Sequence, residues 1–279
     1  MSIGNFVKAV DPSLYNSYKM EVYKNGGSRN TSEPNLDKFR NKTNLPTSEQ
    51  EEQKQNNFSI PSIDDLKEDH YAKIFITKRQ IPKEKYKNIF FAQDFMSFVD
   101  ELIPDHGKNL LKNDPRIVIP FYDKNKNLLG IQGRALLDSP IRYITIKTDE
   151  NAIKLYGLDT VDINKKIYVV EGPFDSMFLN NSIAVMDSAL YKIVTVLGEN
   201  DYVFVYDNEP RNKEIVKHMN KTINMGHDIC IWPQDVEEKD INDMIINSNR
   251  SAAVVQSIID NNTYNNIRAR LALDAWKKI

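Results

Sequence analysis

Disulfides are excluded from this chain, because it has one cysteine, Cys230, set inside the apolar run ICIW and read as a buried structural thiol. A tetrahedral zinc site is excluded too, since it needs four Cys or His ligands at local spacing and only Cys230 and the scattered His70, His106, His218 and His227 are available. No apolar run approaches the roughly 20 residues of a membrane-spanning helix, and the first residues lack a basic-then-apolar signal pattern. The expectation is a soluble, cytoplasmic protein with no membrane partner. No G-x-x-x-x-G-K-[ST] phosphate loop is present, which excludes an attached P-loop motor, and internal repeats are absent.

Strong net charge is also lacking, at -2 overall, but that sum hides an asymmetry. Between Gly107 and Lys147 there are eight Lys or Arg against three Asp, and between Asp159 and Asp243 sixteen acids against eight bases. One region suits phosphates and the next suits cations, although surface charges also clump without function. With 279 residues, 41% hydrophobic and 27% charged, the chain is long enough for two cores.

The strongest local pattern is IYVVEGPFD, Ile167 to Asp175, a buried strand that stops at Glu171 and turns at Gly-Pro. A carboxylate at the C-terminal mouth of a sheet is well placed to hold a hard cation. Two more acidic clusters follow strand patterns: YVFVYDNE brings Asp207 and Glu209, and EKDIND brings Asp240 and Asp243. Strands expected at 167–170, 183–186, 202–206 and 228–232 alternate with helices from Phe174, near 188–196 and from Glu209 or Pro210. That alternation gives an α/β, doubly wound parallel sheet flanked by helices. Asp175 is read equally as a site residue and as the cap of its helix, while Asp187, Glu199 and Asp201 match no motif and are read as surface or capping residues.

Upstream, residues 5–23 have the spacing of one or two short helices broken at Asp11-Pro12, and residues 24–57 are too poor in apolar side chains to bury a core. A helix capped at Ser62, another over DHYAKIFITKRQIP ended by Pro82, and the apolar segment YKNIFFAQDFMSFVDEL make a small helical region. RIVIPFYDKNKNLLGIQGRAL reads as a hairpin turning at Asp123 to Asn127, and RYITIK as a third strand. This mixed α+β platform carries Arg116, Arg134, Arg142, Tyr143 and Lys147, candidates for contacts to phosphates; the other reading of each cation is a solvated surface charge. Arg134 is singled out because Gly133 allows close backbone approach to a ligand. After Asp243 come helical segments near 244–246 and 252–259 and a terminal helix in which Leu271, Leu273 and Trp276 are expected to pack.

The order E-G-x-x-D, then a strand ending in D-x-E, then K-D-x-N-D resembles the Toprim domain of primases, topoisomerases and some nucleases, with Glu209 in place of the usual second aspartate. Ahead of it, Ile119-Pro120-Phe121-Tyr122-Asp123, Gly130-Ile131-Gln132-Gly133-Arg134, Arg142-Tyr143 and Leu155-Tyr156-Gly157-Leu158 resemble the basic subdomain of bacterial and phage primases, which separates primase from topoisomerase. The resemblance implies a Toprim sheet behind a basic subdomain, and Mg²⁺ or Mn²⁺ at Glu171, Asp207, Glu209 and Asp240. It implies Glu171, Asp207 and Glu209 as catalytic acids, Glu171 being either ligand or acid/base. It further implies single-stranded DNA and ribonucleoside triphosphates as substrates, a replicative helicase as partner, and the host's cytoplasm for a phage-encoded protein.

IGNFVKAVDPSLYNSY is similar to the piece after the zinc ribbon of phage primases, so the ribbon is expected on a separate polypeptide, upstream of this reading frame, or not at all. The expected divisions are an arm and linker over 1–60, a basic subdomain over 61–158, a Toprim domain over 159–250 and C-terminal helices over 251–279. A Toprim nuclease and an inactive single-strand-binding accessory are the alternatives.

Overall fold

A computed structural model describes residues 58–279, so the arm and linker expected over 1–60 fall, except for their last three residues, outside the described residues. Ser62 does not open a helix. Its hydroxyl donates to Asp65 Oδ2 at 2.7 Å and closes a single turn, and α1 (Tyr71–Lys78) begins later, capped by His70, which accepts from Ala72 N. The segment YKNIFFAQDFMSFVDEL is likewise not one helix. A 3₁₀ turn leads into β1 (Phe90–Ala92), and Asp94, accepting from the Ser97 amide and hydroxyl, starts α2 (Phe95–Leu102).

β2 (Arg116–Tyr122) and β3 (Leu128–Ala135) form the expected hairpin, whose turn is fixed by Asp123 Oδ1 accepting from the amides of Asn125 and Asn127, both at 2.8 Å. β4 (Tyr143–Lys147) completes an antiparallel sheet in the order β1-β2-β3-β4. Because side chains alternate between faces, the register decides what each residue sees. Ile117 lies opposite Arg134, Ile119 opposite Gln132, and Arg134 opposite Tyr143, so these share one face. Arg116, Val118 and Ile131 take the other face, where Val118 and Ile131 pack with Phe95 and Phe98 of α2.

The second sheet follows. β5 (Ile167–Val170), α3 (Pro173–Ser176), β6 (Ser182–Ala184), α4 (Ile193–Leu197), β7 (Tyr202–Phe204), α5 (Lys213–Asn224), β8 (Asp228–Cys230), α6 (Ile241–Asn247), α7 (Ala252–Asn261), β9 (Thr263–Tyr264) and α8 (Asn266–Trp276) occur in that order. The sheet order is β6-β5-β7-β8-β9, parallel except for β9, an antiparallel edge strand that the sequence reading lacks. Three of the expected strands stop two residues early. The backbone leaves the ladder after Ala184, and Met186 has φ 55°.

The helix expected from Glu209 or Pro210 starts at Lys213, because Asn212 caps it by accepting from Glu214 N at 3.0 Å. A 3₁₀ turn at Leu190–Lys192 and the short α4 stand where one helix was expected over 188–196. In α8, Leu273 and Trp276 pack as expected but Leu271 is exposed, and Ala269 takes the inward position. One core runs from Ile76 of α1 through Ile117 and Ile119 to the parallel sheet, so the two sheets share packing along the face that carries Arg134 and Gln132.

Candidate active site

Each acidic residue is placed by the end of a rigid element. β5 ends and Glu171 follows; β7 delivers Asp207 three residues after its last ladder partner, Phe204; Asp240 caps α6 by accepting from Asp243 N at 2.8 Å. Glu171 Oε1 accepts from Asp207 N at 3.4 Å, which brings the mouths of adjacent strands together. Asp175 sits in the short α3, and its Oδ1 accepts from Asn242 N at 3.0 Å, so it is tied to the start of α6 and does not cap its own helix. Glu171, Asp175, Asp207, Asp240 and Asp243 line one cleft of about 390 Å³.

Glu209 does not line it. Its carboxylate turns to the rim, accepting from Asn212 Nδ2 at 2.8 Å and pairing with Lys239 Nζ at 3.0 Å. Lys239 Nζ also lies 3.6 Å from Asp207 Oδ2, so one ammonium bridges both acids of the D-x-E pair.

The electrostatics follow from this crowding. Burial, then the Asp207 charge, pushes the Glu171 carboxyl up to about 8. Burial and the Asp240 charge push Asp207 up to about 6, against the pull of Lys239. Asp175 is pushed well above the usual aspartate range by its enclosed surroundings and by the charges of Asp240 and Asp207. Burial also acts upward on Glu209, but the hydrogen bonds from Asn212 and Lys239 outweigh it and hold the carboxyl below its ordinary value.

Among the described residues no three His, Cys, Asp or Glu side chains stand at metal-ligand spacing. The donor set is oxygen only, which suits a hard divalent cation, and the mutual repulsion of Glu171 and Asp207 is what such a cation relieves.

The opposite wall of the cleft comes from the first sheet. Gln132, Arg142 and Tyr143 line it, and Arg134 stands beside Tyr143 with its guanidinium carbon 5.0 Å from the ring centroid. Arg142 lies 5.7 Å from the same centroid. Lys147 is on the same face but four residues along β4, about 13 Å away by strand geometry, and its ammonium donates to the Glu150 carbonyl. It does not line the cleft.

Two expectations fail here. Arg116 has no accessible surface. Its guanidinium pairs with Asp114 at 2.6 Å and donates to the carbonyls of Gly133 (3.0 Å) and Ile141 (2.7 Å), so it holds the strand ends and is not placed to touch a phosphate. Gly133 is small for packing and not for a ligand, since a Cβ there would stand 2.5 Å from the Phe95 ring.

Four residues escaped the sequence reading: Arg79, Gln132, Lys239 and Asn242. Lys239 and Asn242 stood inside the K-D-x-N-D pattern without a role. Gln132 stood likewise unassigned inside the G-x-x-G-R pattern, and Arg79 carried no signal, since their place depends on how α1 and β3 meet the parallel sheet.

No protein-family model matches the chain. It is 33% identical over 283 residues to the DNA primase of Enterobacteria phage T4, covering 99% of this chain and 79% of that protein. The crystal structure of Aquifex aeolicus primase, comprising zinc-binding and RNA polymerase domains, is similar at TM-score 0.52 and 19% identity over 72% of this chain, which spans 57% of that one. The RNA polymerase domain of Mycobacterium tuberculosis primase DnaG, in complex with a double-stranded DNA oligomer with a 6-nucleotide overhang, gives TM-score 0.54 at 14% identity over 77% of this chain and 85% of that one. The solved structures carry the fold, a mixed α/β primase catalytic core, and the T4 relative carries the family: the chain belongs to the DNA primases, which are nucleotidyltransferases.

Proposed function

We propose that the cleft between the two sheets is where this primase joins ribonucleotides into a short RNA primer on single-stranded DNA. The observation that carries the reading is the pairing of walls: five carboxylates on one side, and Arg142 and Tyr143, with Arg134 behind them, on the other. A nucleoside triphosphate and a primer 3′-hydroxyl need both, one wall for cations and one for phosphate charge.

Asp207 and Asp240, with Glu171 beside them, would hold Mg²⁺ or Mn²⁺, which when bound stabilises charge on the attacking and leaving oxygens. Glu171, with its carboxyl raised to about 8, would take or give the hydroxyl proton. Glu209, at the rim, would act by holding Lys239. Arg134 and Arg142 would face the triphosphate, and Tyr143 would present a ring to a base or sugar. Lys147 would meet template or primer phosphates further along β4.

Single-stranded DNA is the template in this reading, and a replicative helicase and a zinc-ribbon protein acting in trans are the further partners. No helix of the described residues is long and apolar enough to cross a membrane, and the work is assigned to the host cytoplasm. The divisions 61–158, 159–250 and 251–279 remain our proposal for how the described part is organised.

The test is incorporation of labelled ribonucleotides on single-stranded DNA with Mg²⁺, with and without zinc-ribbon and helicase candidates, comparing the wild type with Glu171→Gln. Short RNA products reduced about 100-fold or more in the variant support the reading. Cutting of the template in place of synthesis would move the assignment to a Toprim nuclease.

A further inference from the structure

The middle of β3 holds an amide that neither packing nor the phosphate reading accounts for. Gln132 is 6% exposed and lines the cleft, yet its Oε1 has no hydrogen-bond partner in the protein. Ile119 on one side and Thr145 on the other are its ladder neighbours, so the backbone that carries the amide is held by strands on both flanks. Two other buried polar atoms without partners are Arg79 Nε, on a residue that lines the same cleft, and Arg134 Nε, two residues along β3 from Gln132. Their guanidinium carbons lie 4.9 Å and 5.7 Å from the ring centroid of Phe75. Buried polar groups in native proteins are normally satisfied, so such a cluster marks where a polar occupant belongs.

The chemistry of the neighbours narrows what meets Gln132. Guanidiniums beside it suit phosphate oxygens, and the carboxylates opposite suit cations. A neutral amide suits the part of a nucleotide that carries no charge. It offers a donor and an acceptor on one planar group, and a sugar hydroxyl is also both. A base edge is the less fitting partner, since one amide would favour one base while the sugar is common to all four.

We propose that Gln132 recognises the ribose 2′-hydroxyl of the nucleotide in the cleft and so sets the preference for ribonucleotides over deoxyribonucleotides. The proposal rests on the reading of the cleft as the nucleotide site. A site built to bond a hydroxyl rejects the analogue that lacks it, because its own polar group is then left unpaired.

The experiment measures dissociation constants for ATP, 2′-deoxy-ATP, GTP and 2′-deoxy-GTP with Mg²⁺, and kcat/KM for the same four, in the wild type, Gln132→Ala and the near-isosteric Gln132→Met. The expected result is a wild-type preference for both ribonucleotides that falls about 10- to 100-fold in the variants through weaker ribonucleotide binding, the deoxy forms changing less than about threefold. Equal loss for ribo and deoxy forms, or an unchanged ratio, overturns the proposal. A change confined to adenine makes Gln132 a base reader and also overturns it. A wild type that binds none of the four overturns the nucleotide-site reading itself. Gln132→Met, which keeps the volume, gives the same ratio should Gln132→Ala unfold.

Discussion

Arg79 and Asn242, 163 residues apart in the chain, hold each other reciprocally: the guanidinium donates to Asn242 Oδ1, and the Asn242 amide donates to the Arg79 carbonyl at 2.9 Å. The backbone N–H of Asn242 in turn donates to Asp175. This fastens the turn after α1 to the first turn of α6, beside Asp240. Asn242→Ala and Arg79→Met are each expected to cost about 2 kcal/mol, and the double variant about 1.5 kcal/mol less than their sum. Urea unfolding of the four proteins checks this, and simple additivity would mean that the pair does not act as a latch.

Arg116 and Arg134 separate by a different pair of measurements. Arg116→Met leaves Asp114 buried without its partner and should destabilise the protein by about 3–5 kcal/mol. Arg134→Met should change stability by less than about 1 kcal/mol and raise the KM for nucleotide about tenfold. Thermal melting together with steady-state kinetics distinguishes them, and the reverse pattern would place Arg116 in the site.

The raised carboxyls of Glu171 and Asp207 give stability an expected pH dependence. Glu171 at about 8 and Asp207 at about 6 lie above their ordinary 4.5 and 3.8, so the folded state binds more protons than the unfolded one. Their contribution is full below the unfolded values and is lost as pH rises through the folded ones. Metal-free protein should therefore melt at progressively lower temperature from about pH 5 to about pH 8, and Mg²⁺ should restore the loss at the upper end. A melting temperature that climbs over this interval would contradict the assigned shifts.

Lys239 pairs with Asp207 and Glu209, so in the proposed reading it would compete with metal for them. In the absence of nucleotide, Lys239→Met should tighten Mn²⁺ binding about fivefold, the value of one partly exposed ion pair. Titration followed by electron paramagnetic resonance reads it directly, and weaker binding in the variant would make Lys239 a support of the site.

What could be seen beforehand depended on whether the signal was local. Ile167–Val170 was legible because a fully buried parallel strand is apolar at every position, and Glu171 and Asp207 were legible because each follows such a run. The segment after Tyr86 misled because its apolar residues fit a helix, while Asp94 offered a cap that restarts the chain after three extended residues. Pro210 looked like a first helical turn, but Asn212 has the capping side chain. Arg116 and Arg134 looked alike because only the β2 to β3 register, which sets Arg116 opposite Ala135 and Arg134 opposite Ile117, shows that they face opposite ways. Arg79 and Gln132 were out of reach for the same reason, since each owes its role to a sheet it does not belong to.

Lys239 is half exposed, at 54% of its side chain, on the loop that enters α6. A flexible ammonium there acts as an internal counterion that travels with the chain. In the proposed reading, arrival of a metal ion would exchange one cation for another and would not confront the fold with a bare acidic pair. Under the proposed reading the strand ends would never carry the acidic pair wholly uncompensated, with one positive charge there before the ion arrives and two after, so the site could fill and empty without the sheet having to give way.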